Sequence, residues 1–218
     1  MPIWKVLASI GFQAVLFTSL GVALWVLAER SYQDFVTLAW NEAANGVLLA
    51  FALIAASAIM AKTFPRYAEW VIRAQARTYS FLKDRISFAA IIFISICAGV
   101  GEEALFRGGL QTLLGEYAPL PLALVVSAAL FALIHFAQPA ISVLLFVIGC
   151  LFGWIYWQTG SLLTVMVGHT VYDVYAIWAL QKAMHELDVF DDHRSADLLE
   201  ESERETLTTA NKTTGETS

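Results

Sequence analysis

The sequence predicts an all-α protein: a polytopic membrane helix bundle of about six transmembrane helices, followed by a short disordered C-terminal tail. Three observations predict this fold. Of the 218 residues, 58% are hydrophobic and only 15% are charged, and the mean hydropathy is +0.64. A soluble domain is about 45–50% apolar and about 25% charged. The apolar residues also run in stretches of membrane-spanning length, so the composition excludes a soluble fold.

The predicted spans follow from the length that a bilayer requires. A membrane-spanning helix needs about 20 mostly apolar residues. The first apolar stretch is longer than the hydrophobic region of a signal peptide, so we interpret it as a retained span. Cys97 and Cys150 lie inside apolar runs, where a thiol behaves as a small packing residue. The six predicted spans are 5–28, 44–61, 86–114, 119–137, 140–158 and 161–182.

Charged residues concentrate outside these spans. The loop 62–85 holds six basic and two acidic residues, so the positive-inside rule places this loop and both termini in the cytoplasm. We expect the protein to lie in a plasma (inner) membrane. Residues 183–218 contain ten acidic and three basic residues, which predicts disorder in a cytoplasmic tail. No basic patch indicates nucleic acid. The predicted regions are an N-terminal membrane region 1–85, a core 86–183 and the tail 184–218.

A few polar side chains lie inside the predicted spans, where they are energetically costly. Counting about 1.5 Å per residue from the predicted turns, Glu102 and His135 lie at a similar depth on two antiparallel helices, and His169 and Asp173 reach the same layer. The sequence therefore predicts one polar site within the membrane. These costly residues are Glu102, Glu103, Arg107, His135, His169 and Asp173.

Helical phase separates the two glutamates, because neighbouring residues on an α-helix point about 100° apart. Glu103 and Arg107 have the i,i+4 spacing of an ion pair, so we assign Glu103 to Arg107 and Glu102 to the site. Phe131 lies one turn before His135 and is expected to wall the site. Taken singly, an intramembrane histidine or a Glu–Arg pair is explained by packing. The coincidence of all these groups at one depth favours a function.

Three motifs resemble those of one known family. Glu102 to Arg107 reads EEALFR and fits EExxxR, Phe131 to His135 reads FALIH and fits FxxxH, and His169 to Asp173 reads HTVYD and fits HxxxN or HxxxD. Their order and their placement in hydrophobic helices resemble the CPBP family. That family includes type II CAAX prenyl proteases, bacteriocin-processing proteins and abortive-infection proteins. The resemblance covers about 88–182.

The resemblance implies an intramembrane endopeptidase that acts on a membrane-associated peptide or protein within the lipid bilayer. Glu102 and His135 would activate the attacking water, while His169 and Asp173 would stabilise the oxyanion. An ionised Asp173 cannot donate a hydrogen bond, so Asp173 would either be protonated or hold His169 in its donating tautomer. The sequence leaves open whether Glu102, His135 and His169 bind a divalent metal such as zinc. The absence of HExxH favours the metal-free version.

Two other functions fit the same residues. A non-catalytic membrane protein could bind a bacteriocin or a partner peptide and confer immunity. An ion- or proton-coupled carrier could use the buried carboxylates as a relay, although the sequence shows no internal repeat of the kind that many carriers have. Replacement of Glu102 by glutamine distinguishes the enzyme, which loses its function, from the binding protein, which keeps it.

Overall fold

The computed structural model describes residues 2–135 and 139–190. Within these residues the chain forms α-helices, one π-helix and two short 3-10 turns, and it contains no strand. The helices are α1 (Ile3–Leu27), α2 (Trp40–Thr63), α3 (Pro65–Ala74), α4 (Phe88–Glu103), the π-helix (Ala104–Gln111), α5 (Thr112–Tyr117), α6 (Leu120–Ile134), α7 (Pro139–Thr159) and α8 (Leu162–Glu186).

The lengths of these helices confirm the predicted membrane bundle. Five continuous helical segments of the described chain are long and apolar enough to cross a membrane, with Phe88–Tyr117 counted as one segment of 30 residues. The fourth predicted span is shorter than expected, because α6 has only 15 residues. At 1.5 Å per residue it covers about 22 Å of a hydrocarbon core that is about 30 Å thick.

The stretch 62–85, which was predicted to be a basic loop, contains the helix α3. The helical path breaks at Phe64, whose φ and ψ of −126° and 63° are not helical, and α3 begins with Pro65 at its first position. A residue before proline avoids the α region, whereas proline is favoured at the first helical position. The chain therefore leaves α2 and starts a separate helix.

The π-helix interrupts the third span directly after the two glutamates. A π-turn holds more residues than an α-turn and disturbs the regular pairing of backbone groups. Two side-chain hydroxyls stabilise the disturbed carbonyls: Ser127 Oγ donates to the Phe106 oxygen at 2.6 Å, and Thr112 Oγ1 donates to the Arg107 oxygen at 3.1 Å. π-Helical turns are rare and occur frequently at functional sites.

Close backbone packing joins α1, α4 and α8. A Cβ atom added at Gly99 would lie 2.7 Å from the backbone nitrogen of Thr170, and one added at Gly109 would lie 2.8 Å from the Cα of Gly21. Only glycine permits such approaches, as is common where membrane helices meet. The helix α1 therefore packs directly on the π-helix.

Two apolar clusters lie on either side of the polar residues of α8. One cluster includes Leu162, Val165 and Met166 near the start of the helix. The other includes Ile177 and Met184 near its end. The predicted site residues at positions 169 and 173 fall between them, so the core of the bundle is apolar above and below one polar layer.

The end of α8 extends beyond the predicted boundary of the core at residue 183. The helix continues to Glu186, His185 donates from Nε2 to the Leu82 oxygen at 3.0 Å, and Val189 is buried. The tail predicted from residue 184 thus begins with packed residues. From residue 191 onward, that prediction lies outside the described residues.

Candidate active site

Three helices bring these predicted site residues together. Glu102 and Glu103 lie in the last turn of α4, His135 follows the last residue of α6, and His169 and Asp173 lie one turn apart on α8. The site is therefore assembled where the third span changes from α-helix to π-helix.

Glu102 occupies the middle of the site. Its Oε2 atom lies 3.9 Å from Nε2 of His135 and 3.9 Å from Nε2 of His169. These distances exceed those of direct hydrogen bonds, although the three groups are neighbours. One carboxylate oxygen thus faces two imidazole nitrogens across a gap that a small molecule such as water can bridge.

His135 is oriented by its own helix. Its Nδ1 atom lies 2.7 Å from the Phe131 oxygen, and a carbonyl oxygen only accepts, so Nδ1 donates. In the neutral ring, Nε2 then carries the lone pair and faces Glu102. The ring also packs against the Phe131 ring, with centroids 4.7 Å apart. Phe131 is buried, as expected of a side chain that walls the site.

His169 is held between carboxylates. Its Nδ1 atom lies 2.8 Å from Oε1 of Glu103, and its Nε2 atom lies 3.5 Å from Oδ2 of Asp173. The sequence predicts that Asp173 alone orients His169, and helical phase predicts that Glu103 points away from the site. In the structure Glu102 and Glu103 lie beside different nitrogens of one imidazole, because the ring of His169 lies between the two glutamate side chains. Glu103 makes the shorter contact.

The Glu103–Arg107 ion pair forms with an N–O distance of 3.0 Å, and both side chains are only 1% exposed. Arg107 also donates to the Gly149 oxygen of α7 at 3.0 Å. Its guanidinium lies over the Phe131 ring, 4.7 Å from the centroid. A buried charge needs such partners to be tolerated. Arg107 therefore links the π-helix, α6 and α7 around the site.

A cavity of about 700 Å³ opens onto Glu102, His135, His169 and Asp173. Its walls combine two kinds of surface. The polar wall includes Gln75, Arg77 and Tyr79 from the segment that follows α3. The apolar wall includes Ile10, Ala14 and Phe17 from α1 and Ile141, Leu145 and Ile148 from α7. The spacing of these apolar residues places them on one face of each helix.

Tyr79 is a site residue that the sequence analysis missed. Burial raises the pKa of its phenol above the ordinary value, and the negative charges of Asp173 and Glu102 raise that pKa further. The hydroxyl therefore remains a hydrogen-bond donor at neutral pH. Its place depends on the path of an irregular segment over the bundle, and no local pattern in the sequence encodes that path.

The geometry of the site bears on the three predicted zinc ligands, Glu102, His135 and His169. In residues 2–135 and 139–190, no group of three or more His, Cys, Asp and Glu side chains is arranged to hold a metal ion. The Oε2 atom of Glu102 is 3.9 Å from Nε2 of each predicted histidine partner, whereas two ligands of one tetrahedral zinc ion lie about 3.4 Å apart. The described side chains therefore lie slightly farther apart than in a closed ligand set.

The fold and the site together define a class: a membrane-embedded helical protein with a carboxylate and two imidazoles facing one cavity. Residues 84–175 match the family model described as type II CAAX prenyl endopeptidase Rce1-like. This segment is similar to that family, which supports the resemblance to the CPBP proteases. At the level of the family, the match supports an intramembrane endopeptidase of the CAAX-protease-like kind and a multi-pass membrane protein. No curated protein and no solved structure matches the chain.

Proposed function

We propose that the protein hydrolyses a peptide bond of a membrane-associated peptide or protein, with a water molecule activated by Glu102 and His135. The observation that carries this proposal is the position of Glu102 Oε2, 3.9 Å from the Nε2 atoms of both histidines. A water molecule in that gap can donate to the carboxylate and to an imidazole lone pair at once. General-base catalysis requires such a hydrogen bond to the attacking water.

The proposed reaction has two steps. Glu102 accepts a proton from water while the oxygen of that water attacks the carbonyl carbon of the peptide, which gives a tetrahedral oxyanion. The C–N bond then breaks, and the proton moves from Glu102 to the leaving nitrogen. The apolar clusters on either side of the polar layer keep its dielectric low, and a carboxylate that loses part of its hydration is a stronger base toward water.

His169 is the proposed oxyanion donor. The carboxylates of Glu103 and Asp173 lie beside its two nitrogens, at 2.8 Å and 3.5 Å. In the proposed reaction the ring carries both protons. Such a ring donates to Glu103 through Nδ1 and to the oxyanion through Nε2. A donor fixed in position before the reaction contributes about 2.7–4 kcal/mol to transition-state stabilisation. Asp173 supports the charge of His169 and need not itself donate.

The lining of the cavity favours an apolar, membrane-associated substrate. Its apolar wall lies between α1 and α7, two helices of membrane-spanning length, and its polar wall lies beside the carboxylates. A peptide that approaches from the bilayer would place its apolar side chains against α1 and α7 and its scissile carbonyl near His169.

The proposal is tested by comparative membrane proteomics of cells that carry wild-type protein, Glu102→Gln or the control Glu116→Gln. Glu116 is exposed and forms only a surface ion pair with Arg30, at 2.7 Å. We expect a precursor peptide to accumulate with Glu102→Gln alone, and the purified variant to cleave it about 10²–10⁴ times more slowly. Normal processing of the precursor in cells that carry the correctly inserted Glu102→Gln protein would refute the mechanism.

A further inference from the structure

The outward side of α3 carries a surface that the proposed reaction does not use. We define the α3 outer face as Phe64, Arg66, Tyr67 and Trp70. The aromatic side chains are well exposed, with Phe64 at 54%, Tyr67 at 41% and Trp70 at 40%. The rings of Tyr67 and Trp70 stack with centroids 5.8 Å apart. Three large aromatic rings are thus presented outward beside a cation.

The position of α3 in the chain brings this face to the membrane boundary. The helix begins one residue after the membrane-spanning α2, so its first turn lies where that span leaves the hydrocarbon core. Its opposite side is fastened to the bundle, since Ile72 packs against the apolar cluster that includes Leu82 and Ile177. The helix therefore lies against the bundle at the edge of the bilayer, with its aromatic side outward.

The charged residues of this region are mostly basic. Residues 62–77 contain Lys62, Arg66, Arg73 and Arg77, whereas Glu69 is their one acidic residue. Glu69 is engaged by Arg73 at 2.9 Å, which leaves a net positive charge beside the three rings. Aromatic rings at headgroup level and adjacent basic side chains are the combination that binds an anionic membrane surface.

We propose that the α3 outer face binds the anionic headgroup region of the bilayer. The rings of Phe64, Tyr67 and Trp70 insert at the level of the headgroups, and Lys62 and Arg66 contact lipid phosphates. A bilayer surface is favoured over a protein partner because α3 follows directly from a membrane span, so the lipid is already adjacent. This binding needs no partner and no conformational change of α2.

The proposed lipid contact also positions one wall of the cavity. The segment that continues from α3 contributes Gln75, Arg77, Thr78 and Tyr79 to the cavity lining. A helix held at the headgroups fixes the start of this segment, and the contact of His185 with the Leu82 oxygen fixes its end. The composition of the membrane therefore affects how well the polar wall is ordered.

Hydrogen–deuterium exchange of the full chain tests the proposal in nanodiscs of phosphatidylcholine, with and without phosphatidylglycerol. We expect the amides of 66–74 to exchange more slowly with the anionic lipid, and Lys62→Gln and Arg66→Gln each to reverse this by about fivefold. The control is Lys182→Gln, an exposed cation in the last turns of α8. Equal exchange in both lipids, or the same loss with Lys182→Gln, would overturn the proposal.

Quenching of tryptophan fluorescence by brominated lipids supplies a second, independent measurement. With the quencher near the headgroups, Trp70→Phe should remove a strongly quenched component of the emission. If that substitution removes an unquenched component instead, Trp70 faces water or a protein and the proposal fails. Neither measurement uses a substrate, so failure of the lipid contact and failure of the proposed proteolysis are distinguishable.

Discussion

A single oxygen atom of Glu103 contacts both His169 and Arg107. Oε1 lies 2.8 Å from Nδ1 of His169 and 3.0 Å from Nη1 of Arg107. The ion pair that spacing alone predicted is thus also the support of an imidazole in the site. Charge balance of the buried core and orientation of the candidate oxyanion donor depend on the same carboxylate.

Removal of the Glu103 charge should therefore affect both stability and activity. Glu103→Gln keeps the side-chain volume but leaves Arg107 buried without its counter-ion, for which we expect a loss of about 3–5 kcal/mol in the free energy of unfolding. Thermal unfolding in detergent measures this loss. The matched control is Glu69→Gln, which breaks an exposed i,i+4 pair with Arg73 and should change stability by at most about 1 kcal/mol. Equal effects of the two substitutions would contradict this account.

Introduction of a methyl group at Gly99 should separate α4 from α8. Its Cβ would lie 2.7 Å from the backbone nitrogen of Thr170, so Gly99→Ala is expected to cost about 1–3 kcal/mol and to slow peptide hydrolysis by moving Glu102 away from His169. The control Gly11→Ala meets only the end of the Phe93 ring, at 3.3 Å. Retention of wild-type stability and activity by Gly99→Ala would show that the helices can shift without loss.

Tyr79 should make stability fall at alkaline pH. Its pKa is raised in the folded protein, whereas an unfolded tyrosine titrates near about 10. Above that pH the unfolded state loses the proton and the folded state keeps it, so unfolding becomes more favourable as pH rises. Melting temperatures measured from pH 8 to pH 11 should drop more steeply for the wild type than for Tyr79→Phe. Parallel curves would indicate that the phenol titrates normally.

Chelators provide the test of the metal-free mechanism. Because no step of that mechanism uses an ion, we expect cleavage of an identified substrate to persist after treatment with 1,10-phenanthroline, and the purified protein to contain less than one equivalent of zinc. Loss of cleavage that added zinc restores would favour the metalloprotease alternative, with Glu102, His135 and His169 as the ligands to examine first.

The sequence predicted those features that depend on helix length and depth. Counting residues from the turns placed Glu102, His135, His169 and Asp173 in one layer, and the structure brings all four onto one cavity. Helical phase on α4 predicted the ion pair of Glu103 with Arg107, which the structure contains, but not the additional contact of Glu103 with His169. Whether two adjacent glutamates can reach one imidazole depends on where α8 lies, and no local pattern encodes that position.

Two further features differ in how far the sequence could have predicted them. The helix α3 has recognisable signals: Pro65 at its first position and apolar residues at 68, 71 and 72 with helical spacing. These signals lie within residues 62–85, which were predicted to form a loop because they include many charged residues. The π-helix has no comparable signal, since it depends on tertiary hydrogen bonds such as that from Ser127 to the Phe106 oxygen.

The close contact of Gly21 with Gly109 sets a limit on how the protein can be shortened. The matched family segment begins at residue 84, yet the surface of its π-helix is completed by α1, at glycines that leave almost no space between the two backbones. A truncated chain that starts at residue 84 would expose this seam and lose the cavity wall that Ile10, Ala14 and Phe17 form. We therefore expect the minimal folded unit to include the first helix, and the segment that matches the family model not to fold by itself.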